Sequence, residues 1–543
     1  MNLTKSRYRN WHQCHKMLWM HKHMSDKRVD PIDTGRQDTG TDVGEKAREY
    51  FGEYSLVTGK YNDEKVKETK QFLAEDKDVI CEASFEHDGT FCSVDILHKV
   101  GDSYEIIEVK SSGDSTKKSD EFVKKTVKGI DIYDMAYQYH VVTNSGLKVQ
   151  RVAIMRLNSQ YTINSGLELF VIDDKTKLEK DLQSFYAEEI AADKKFSKQE
   201  VDITELVLRM QENISEDITK MKALIANDSD PGNCIGTHCD NPFTCVYKDW
   251  CWRKEIVPPG LTVFDIGWKF SDSDKDAAYQ SGYVTFEQVL QSTINLSPMQ
   301  RLQVVTVINN LEPHVEPEKI REFFDSIKGR ELYHLDFETL QQAIPEWESV
   351  RPYMQIPFQY SLHIQKSIGD ENPEHKEFLP EEEDYGKDPR HAIAERLYKD
   401  IPKGACVIAY SAASAERPWL NLLADAVSDS PEIEERLREI ADNIIDPVFI
   451  FRNGYYYNRK IGGSASIKSV LPALFPNDPE LDYSSITING SNAGPEYERL
   501  HKERDAISKE EKDNIRNELL KYCHLDTLAI VKLFNKLYNE TKI

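Results

Sequence analysis

Residues 93–112 have the sequence SVDILHKVGDSYEIIEVKSS, in which two runs rich in Ile, Val and Tyr flank a short turn at Gly101. Runs of this composition and length, separated by a Gly-Asp pair, are typical of two strands joined by a tight turn. The stretch therefore predicts strands over 91–100 and 103–111 that pair as a hairpin. With helical patterns before and after it, the hairpin indicates an α/β fold class.

The predicted hairpin carries Asp95 on its first strand and Glu108 and Lys110 on its second. Residues two apart on a strand face one side, so Glu108 and Lys110 point together, and the hairpin can bring Asp95 beside them. Two carboxylates suit Mg²⁺ or Mn²⁺, and a nearby lysine can orient water or stabilise charge on a phosphate, as metal-assisted phosphodiester hydrolysis requires. A surface hairpin with a salt bridge remains the alternative.

A second group of carboxylates is spread over the last 210 residues or so of the chain. Asp336 and Glu338, in the predicted strand LYHLDFETL, lie on one strand face, and Tyr522 and Asp526 lie four residues apart on a predicted helix. Glu416 follows a predicted strand and turn. Three or four carboxylates that converge on one sheet edge make a two-metal site for in-line attack on a phosphodiester. Alternating charges on a solvent-facing strand are the other interpretation.

The nine cysteines are unevenly distributed, because four of them fall between Cys234 and Cys251 and Cys14 lies far upstream. An odd number in a chain expected to be cytoplasmic makes a disulfide framework a poor explanation. The clustering predicts a metal or iron–sulfur site. A Cys₄ zinc site and unliganded core thiols stay open, although the five-residue gaps fit zinc pairs poorly.

The overall composition bounds the function. The chain has 543 residues and a formal charge of −24, which predicts several domains and argues against broad electrostatic adhesion to nucleic acid, but not against a local metal site. No apolar run approaches the roughly 20 residues that span a bilayer, and the N-terminus lacks a secretory apolar segment, so we expect a cytoplasmic protein without a membrane partner. No G-x-x-x-x-G-K-[ST] motif indicates a motor.

Breaks in the pattern divide the chain into three predicted segments. Pro258-Pro259-Gly260 marks a first boundary. We therefore predict a domain over 1–257, a helical connector over 258–328 and a second α/β domain over 329–543. Within the first domain, a lysine-rich stretch predicts an amphipathic helix over 117–142.

The hairpin motif resembles the RecB-like branch of the PD-(D/E)xK nucleases, which have an Asp on one strand, Glu-Val-Lys on the next and a Gln on the following helix. Gly44 is a departure, because the iron–sulfur members place a metal-binding His on this early helix; Glu45 is the nearest substitute. The resemblance implies a restriction-endonuclease fold. It implies as catalytic residues Asp95, Glu108, Lys110, Gln138 and Glu82, with Asp95 and Glu108 as metal ligands.

The cysteine pattern is similar to that of CRISPR-associated and AddB-type RecB-like nucleases. In them one N-terminal Cys and three late Cys hold a [4Fe–4S] cluster that ties the two ends of the domain together. The resemblance implies that the cluster ligands are Cys14, Cys239, Cys245 and Cys251, and leaves Cys234 spare.

The late carboxylates resemble the motifs of the RNase H-like DEDD exonucleases, which are Asp-x-Glu, an Asp after the second strand and Tyr-x-x-x-Asp. The resemblance implies an RNase H-like fold in which Asp336, Glu338, Glu416 and Asp526 bind metal and Tyr522 positions the attacking water. Glu416 departs from the usual Asp.

Nearly the whole chain resembles an uncharacterised bacterial family that joins a RecB-like domain to an RNase H-like domain. The resemblance implies a metal-dependent nuclease that hydrolyses DNA, or RNA as the less favoured substrate, at single-stranded ends in repair or defence. Mg²⁺ or Mn²⁺ and a [4Fe–4S] cluster are the expected cofactors. The alternatives are a catalytically decayed nucleic-acid-binding scaffold and a subunit of a larger machine whose partner supplies the motor.

Overall fold

The chain folds into two compact units. The computed structural model describes residues 2–30, 35–118, 121–177, 200–232, 235–255, 261–484 and 486–542. The first unit comprises Met1–Val257 and Gln342–Tyr353, and the second comprises Pro258–Gln341 and Met354–Ile543. Each unit is a mixed α/β structure built on a mixed sheet.

The first unit contains eleven described strands and eight described helices. The strands are β1 (Leu3–Thr4), β2 (Ser55–Leu56), β3 (Val79–His87), β4 (Thr90–Val100), β5 (Ser103–Gly113), β6 (Ser115–Lys118), β7 (Glu121–Lys124), β8 (Val149–Leu157), β9 (Phe170–Asp173), β10 (Lys175–Lys177) and β11 (Glu200–Asp202). The helices are α1 (Lys5–Gln13), α2 (His15–His23), α3 (Gly35–Arg48), α4 (Asn62–Ala74), α5 (Gly129–Asn144), α6 (Ile203–Arg209), α7 (Gln211–Ala226) and α8 (Lys248–Glu255).

The main sheet of the first unit has the strand order β2-β3-β4-β5-β8-β9, with β1 added in parallel to β4. The predicted hairpin is confirmed as the antiparallel pair β4 and β5 at its centre. Strand β8 joins β5 in parallel. Helices α5, α6 and α7 cover one sheet face with apolar side chains such as Met135, Leu206 and Met221, which are fully buried.

The predicted lysine-rich helix over 117–142 is wrong in its first half. Residues 115–118 and 121–124 pair as the strands β6 and β7, and α5 begins only at Gly129. Two hydrogen bonds hold the intervening backbone away from helical geometry: the Lys125 amide donates to the Asp114 carbonyl (2.7 Å), and the Val127 amide donates to Thr176 Oγ1 (2.9 Å). These tertiary contacts override the helix propensity of the lysines.

The second unit contains six described strands and eleven described helices. The strands are β12 (His314–Val315), β13 (Leu332–Gln341), β14 (Gln355–Gln365), β15 (Glu374–Phe378), β16 (Cys406–Ile408) and β17 (Tyr456–Tyr457). The helices are α9 (Asp272–Gln280), α10 (Phe286–Gln291), α11 (Pro298–Ile308), α12 (Pro317–Asp325), α13 (Arg390–Asp400), α14 (Glu416–Ala426), α15 (Pro431–Asn443), α16 (Val448–Arg452), α17 (Ile467–Leu474), α18 (Ala493–Lys502) and α19 (Lys509–Glu540). Helices α9 to α12 lie within the predicted connector.

The sheet of the second unit has the order β15-β14-β13-β16, with β13 antiparallel to β14 and parallel to β16. The long helix α19 packs on one face of β13 and β14. Its contacts with this face are partly polar, since Gln359 Nε2 donates to the Leu519 carbonyl (2.9 Å) and the Ser361 and Thr527 hydroxyls are 2.7 Å apart. A polar sheet face beneath a buried helix is uncommon, because unpaired polar groups there are costly.

Among the helices of the described residues, none has the length and apolar character needed to cross a membrane.

Candidate active sites

Glu108 is the centre of an ion-pair network in the first unit. Its buried carboxylate accepts hydrogen bonds from Lys5 Nζ (2.9 Å), Lys110 Nζ (2.9 Å) and Gln138 Nε2 (2.6 Å). Burial alone would favour the protonated form, but the two ammonium groups and the amide hydrogen bond together hold the pKa of Glu108 well below its usual range. Glu108 is therefore a carboxylate at physiological pH.

Asp95 lies opposite this network, on β4. One of its oxygens accepts a hydrogen bond from the Val109 amide (2.8 Å). Burial, followed by the negative charge of Glu108, raises the pKa of Asp95 to about 7. Asp95 lines a cavity of about 450 Å³ together with Glu82, Arg48 and Lys110. The predicted catalytic residues of the first unit are thus neighbours, and the cavity gives Asp95 and Lys110 access to a ligand.

The backbone at Glu82 is strained. Its φ of +57° lies in the left-handed region, which is costly for a residue with a side chain. In the β3–β4 ladder, Cys81 pairs with Ile96 and Ala83 pairs with Val94. Glu82 and Asp95 lie between these two pairs but do not pair with each other. Strained positions of this kind cluster at active sites. Here the irregularity places the two acidic residues on the wall of one cavity.

Gly44 on α3 also lines this cavity, at the position where the resemblance leads us to expect a His. A Cβ atom added at Gly44 would meet nothing within 4 Å. The position therefore has room for a side chain and supplies no metal ligand of its own. Neighbouring Glu45 is exposed.

Three further residues of this network escaped the sequence analysis. Asp134 on α5 is buried, lies 3.6 Å from both Lys110 Nζ and Arg9 Nη1, and has no hydrogen-bond partner for either oxygen among the described residues. Burial and the charge of Glu108 raise the pKa of Asp134 to about 7. The spacing of Asp134 four residues before Gln138 on one helix face is the signal that could have found it. Lys5 and Arg9 lie more than 100 residues before Asp134 in the sequence, and no such spacing marks them.

The predicted cluster ligands Cys14, Cys239, Cys245 and Cys251 lie in one small cluster with Met17, Met20 and three tryptophans. Burial, and then charge on the other three cysteines, raises the pKa of Cys245. Hydrogen bonds with Cys14 and Cys239 raise the pKa of His238 to about 11. Cys234 lies outside the described residues.

The four sulfurs are not packed as tightly as ligands of a single ion. In the described part of the chain, the groups of three or more potential ligands whose atoms all lie within 4.8 Å of one another are His363/His375/His524 and Asp336/Glu338/Cys523. The cysteine cluster is absent from this set. An iron–sulfur cluster held by these four cysteines therefore stays a prediction.

In the second unit, four predicted ligands converge from three elements. Asp336 and Glu338 extend from β13, Glu416 begins α14, and Asp526 lies on α19. The Asp336 and Glu416 carboxyls are hydrogen bonded to each other. Burial raises the pKa of Asp336 well above its usual range, and the charges of Asp526, Glu416 and Glu338 add to the effect.

The other three carboxyls also have raised pKa values. Burial raises the pKa of Glu338 to about 8, with Asp526 adding to the shift. It also raises the pKa of Glu416 to about 7 and that of Asp526 to about 6. Glu416 Oε2 is buried and has no hydrogen-bond partner among the described residues. A cluster of buried like charges with an unused oxygen has the donor chemistry of a divalent-cation site.

Two phenols and an ammonium group surround Asp526. Tyr483 Oη donates to Asp526 Oδ1 (2.7 Å), and Tyr522 is also hydrogen bonded to Asp526. The charge of Lys468 lowers the pKa of both Glu338 and Asp526, partly offsetting burial. Tyr522 was predicted, whereas Tyr483 and Lys468 were missed. Lys468 lies on α17 and Tyr483 lies in the loop that follows it, and no motif spacing marks either residue.

Asp446 positions the segment that leads into Glu416. Its carboxylate accepts hydrogen bonds from the amides of Ser411 (3.0 Å), Ala412 (2.9 Å) and Val448 (3.0 Å). Ser411 has a φ of +60°, so the turn is strained and depends on these bonds. Asp446 therefore acts as a positioning residue for the start of α14.

Comparisons with known proteins reach only the second unit. Residues 333–466 match the model of a domain of unknown function, DUF2779. The match includes Asp336, Glu338 and Glu416 and ends before Tyr522 and Asp526. No curated protein and no solved structure matches the chain.

Proposed function

We propose that the chain is a metal-dependent nuclease whose second unit is an RNase H-like domain of the DEDD type. One observation carries the proposal: Asp336, Glu338, Glu416 and Asp526 are buried together, and the pKa of each is raised. Burying four acids costs free energy unless protons or cations neutralise them. Oxygen donors of this kind suit Mg²⁺ or Mn²⁺.

The bound cations would supply an activated water and neutralise charge that develops on the phosphodiester. The chain's own groups orient this site. Tyr483 and Tyr522 hold Asp526 by hydrogen bonds, and Lys468 adds positive charge near the carboxylates. The neutral Tyr522 phenol can position a water. Single-stranded DNA ends are the substrate that we propose, because both resembled families process ends.

For the first unit we propose a RecB-like nuclease domain. The cavity beside Asp95 and Lys110 and the strained backbone of Glu82 support it. The clustering of Cys14, Cys239, Cys245 and Cys251 supports a [4Fe–4S] cluster, since four thiols from the two ends of the unit meet in partly buried, apolar surroundings.

A second candidate function for the first unit is a nucleic-acid-binding scaffold. The hydrogen bonds of Glu108 favour it, because this carboxylate already accepts from Lys5, Lys110 and Gln138. Gly44 adds no ligand. On this alternative the first unit binds nucleic acid, or a partner subunit, and the second unit performs the hydrolysis.

A nuclease assay with the full chain tests both proposals. End-labelled single-stranded DNA and RNA are incubated with Mg²⁺ or Mn²⁺ and wild-type protein, Asp95→Asn, Asp336→Asn or the double variant. Asp513→Asn, at an exposed position of α19, is the matched control. We expect each single variant to lose part of the cleavage and the double variant to lose all of it.

The outcomes separate the candidates. Full cleavage by Asp95→Asn together with none by Asp336→Asn would favour the scaffold role of the first unit. A wild-type protein that cleaves neither nucleic acid with either metal, or a double variant as active as wild type, would overturn the nuclease proposal.

A further inference from the structure

Three histidines that the proposed nuclease mechanism does not use lie close together in the second unit. His363 lies on β14, His375 on β15 and His524 on α19. Their ring centroids are 4.5 Å apart for His363 and His375, 4.8 Å for His363 and His524 and 4.3 Å for His375 and His524. One ring nitrogen of each lies within 4.8 Å of those of the other two.

Two buried hydroxyls contact two of the rings. The Thr527 hydroxyl lies 2.8 Å from His363 Nδ1 and 2.7 Å from Ser361 Oγ. Ser361 Oγ in turn lies 3.0 Å from His375 Nε2.

These contacts engage Nδ1 of His363 and Nε2 of His375. In the tautomers that carry a proton on those two nitrogens, His363 Nε2 and His375 Nδ1 each keep a lone pair. A neutral imidazole with a lone pair of this kind is the state that binds metals.

We propose that His363, His375 and His524 form a Zn²⁺ site that ties α19 to the β14–β15 edge of the sheet. Three neutral imidazoles are a known Zn²⁺ ligand set, with a water in the fourth position. The hydroxyls of Thr527 and Ser361 play the part of the outer hydrogen-bond partners that orient metal-binding histidines. The carboxylate site prefers harder cations, so the two sites differ in metal class.

The site is also reachable from solvent. His363 is buried, but the His375 side chain is 23% exposed and His524 is partly buried. An ion can therefore enter beside β15. Because α19 also carries Tyr522 and Asp526, a bound Zn²⁺ would fix the helix that presents these residues.

Metal content tests the proposal directly. The full chain and His375→Gln are equilibrated with Zn²⁺, freed of excess ion and analysed for zinc, with His391→Gln at an exposed position as the matched control. The cysteine cluster can itself hold zinc, so the difference between proteins is the readout. We expect His375→Gln to lose one equivalent of zinc relative to wild type and His391→Gln to lose none.

A second variant tests the outer hydrogen bonds. Thr527→Val removes the hydroxyl that orients His363 and should weaken Zn²⁺ binding by about 10- to 100-fold. Co²⁺ substitution should give a tetrahedral visible spectrum, one component of which is lost in His375→Gln and His524→Gln but persists in Asp336→Asn. Equal zinc content and equal Co²⁺ spectra in wild type and in whichever histidine variant folds would overturn the proposal, and the outcome is independent of nuclease activity.

Discussion

Asp336 experiences repulsion from three other buried carboxyls of the second unit, which belong to Asp526, Glu416 and Glu338. Asp336→Asn removes this charge. In EDTA at pH 9, where the acids ionise, we expect the variant to be more stable than wild type by about 1 kcal/mol, because one pKa unit corresponds to about 1.4 kcal/mol. Thermal unfolding measures the difference.

The same variant should lose the rise in Tm that Mn²⁺ gives the wild-type protein, since stabilisation by a ligand requires its site. Asp513→Asn should behave as wild type in both conditions. An Asp336→Asn protein that is less stable than wild type in EDTA and still stabilised by Mn²⁺ would show that the acids are paired structurally.

The raised pKa values also predict a pH dependence. Between about pH 4 and 8 these carboxyls hold more protons in the folded protein than in the unfolded chain, because burial raises the pKa of Glu338 to about 8 and those of Glu416 and Asp526 to about 7 and 6. Their contribution to the stability of the metal-free protein therefore falls as pH rises through this window.

Cations displace those protons, so Mn²⁺ affinity should rise by up to about tenfold per pH unit for each proton released between pH 6 and 8. Calorimetric titration at several pH values measures this slope. An affinity that does not change with pH would contradict the assignment of these carboxyls as ligands.

Individual residues were predictable where spacing on one element carries the information. Asp95, Glu108 and Lys110 follow from a hairpin, and Asp336 with Glu338 follows from strand periodicity. Tyr483, Lys468 and Lys5 reach their sites through long-range folding, and no local pattern precedes them. The hydrogen-bond state of Glu108 was equally inaccessible, because it depends on an ammonium group 103 residues away.

At the scale of elements, α1 is held to the central hairpin by the Lys5–Glu108 ion pair (2.9 Å). Lys5→Ala leaves Glu108 with one fewer cation in a buried position. We expect a loss of about 1–3 kcal/mol in the free energy of unfolding, the range for removing a hydrogen bond to a charged group.

Urea unfolding followed by the fluorescence of Trp11 and Trp19 near α1 measures this loss. Lys67→Ala, at an exposed position of α4, should change the midpoint little. Equal midpoints for Lys5→Ala and Lys67→Ala would mean that Lys110 and Gln138 alone satisfy Glu108.

Strands and helices were predictable from the sequence where their hydrophobic patterning is clear. Strands β4, β5, β8 and β13 and the helix α19 follow from hydrophobic patterning. The β6–β7 hairpin does not, because its lysine-rich sequence has weak strand propensity and is held by contacts with Asp114 and Thr176.

At the scale of the whole molecule, the proposed [4Fe–4S] cluster would join α1–α2 to α8 and close the first unit. Cys14→Ser should abolish the broad absorption near ~400 nm of anaerobically purified protein and lower the Tm. Cys406→Ala, in the core of the second unit, should keep the absorption. A colourless wild-type protein whose zinc content falls in Cys14→Ser would replace the iron–sulfur assignment with a zinc site.

The two-unit organisation was foreseeable only in outline. The Pro258-Pro259-Gly260 break falls at the division after Val257. The assignment of 342–353 to the first unit had no sequence signal, because it depends on side chains such as Ala343 and Tyr353 packing beside Val43 and Ile107. Packing between distant segments is the information that one sequence lacks.

The central claim is that the carboxyls of the second unit form a metal centre, and anomalous diffraction from crystals soaked with Mn²⁺ at pH 8 tests it most directly. The account predicts manganese bound by Asp336, Glu338 and Asp526, with Glu416 at the same centre, and its loss in Asp336→Asn crystals. Crystals of wild-type protein without manganese at these four carboxyls would contradict it.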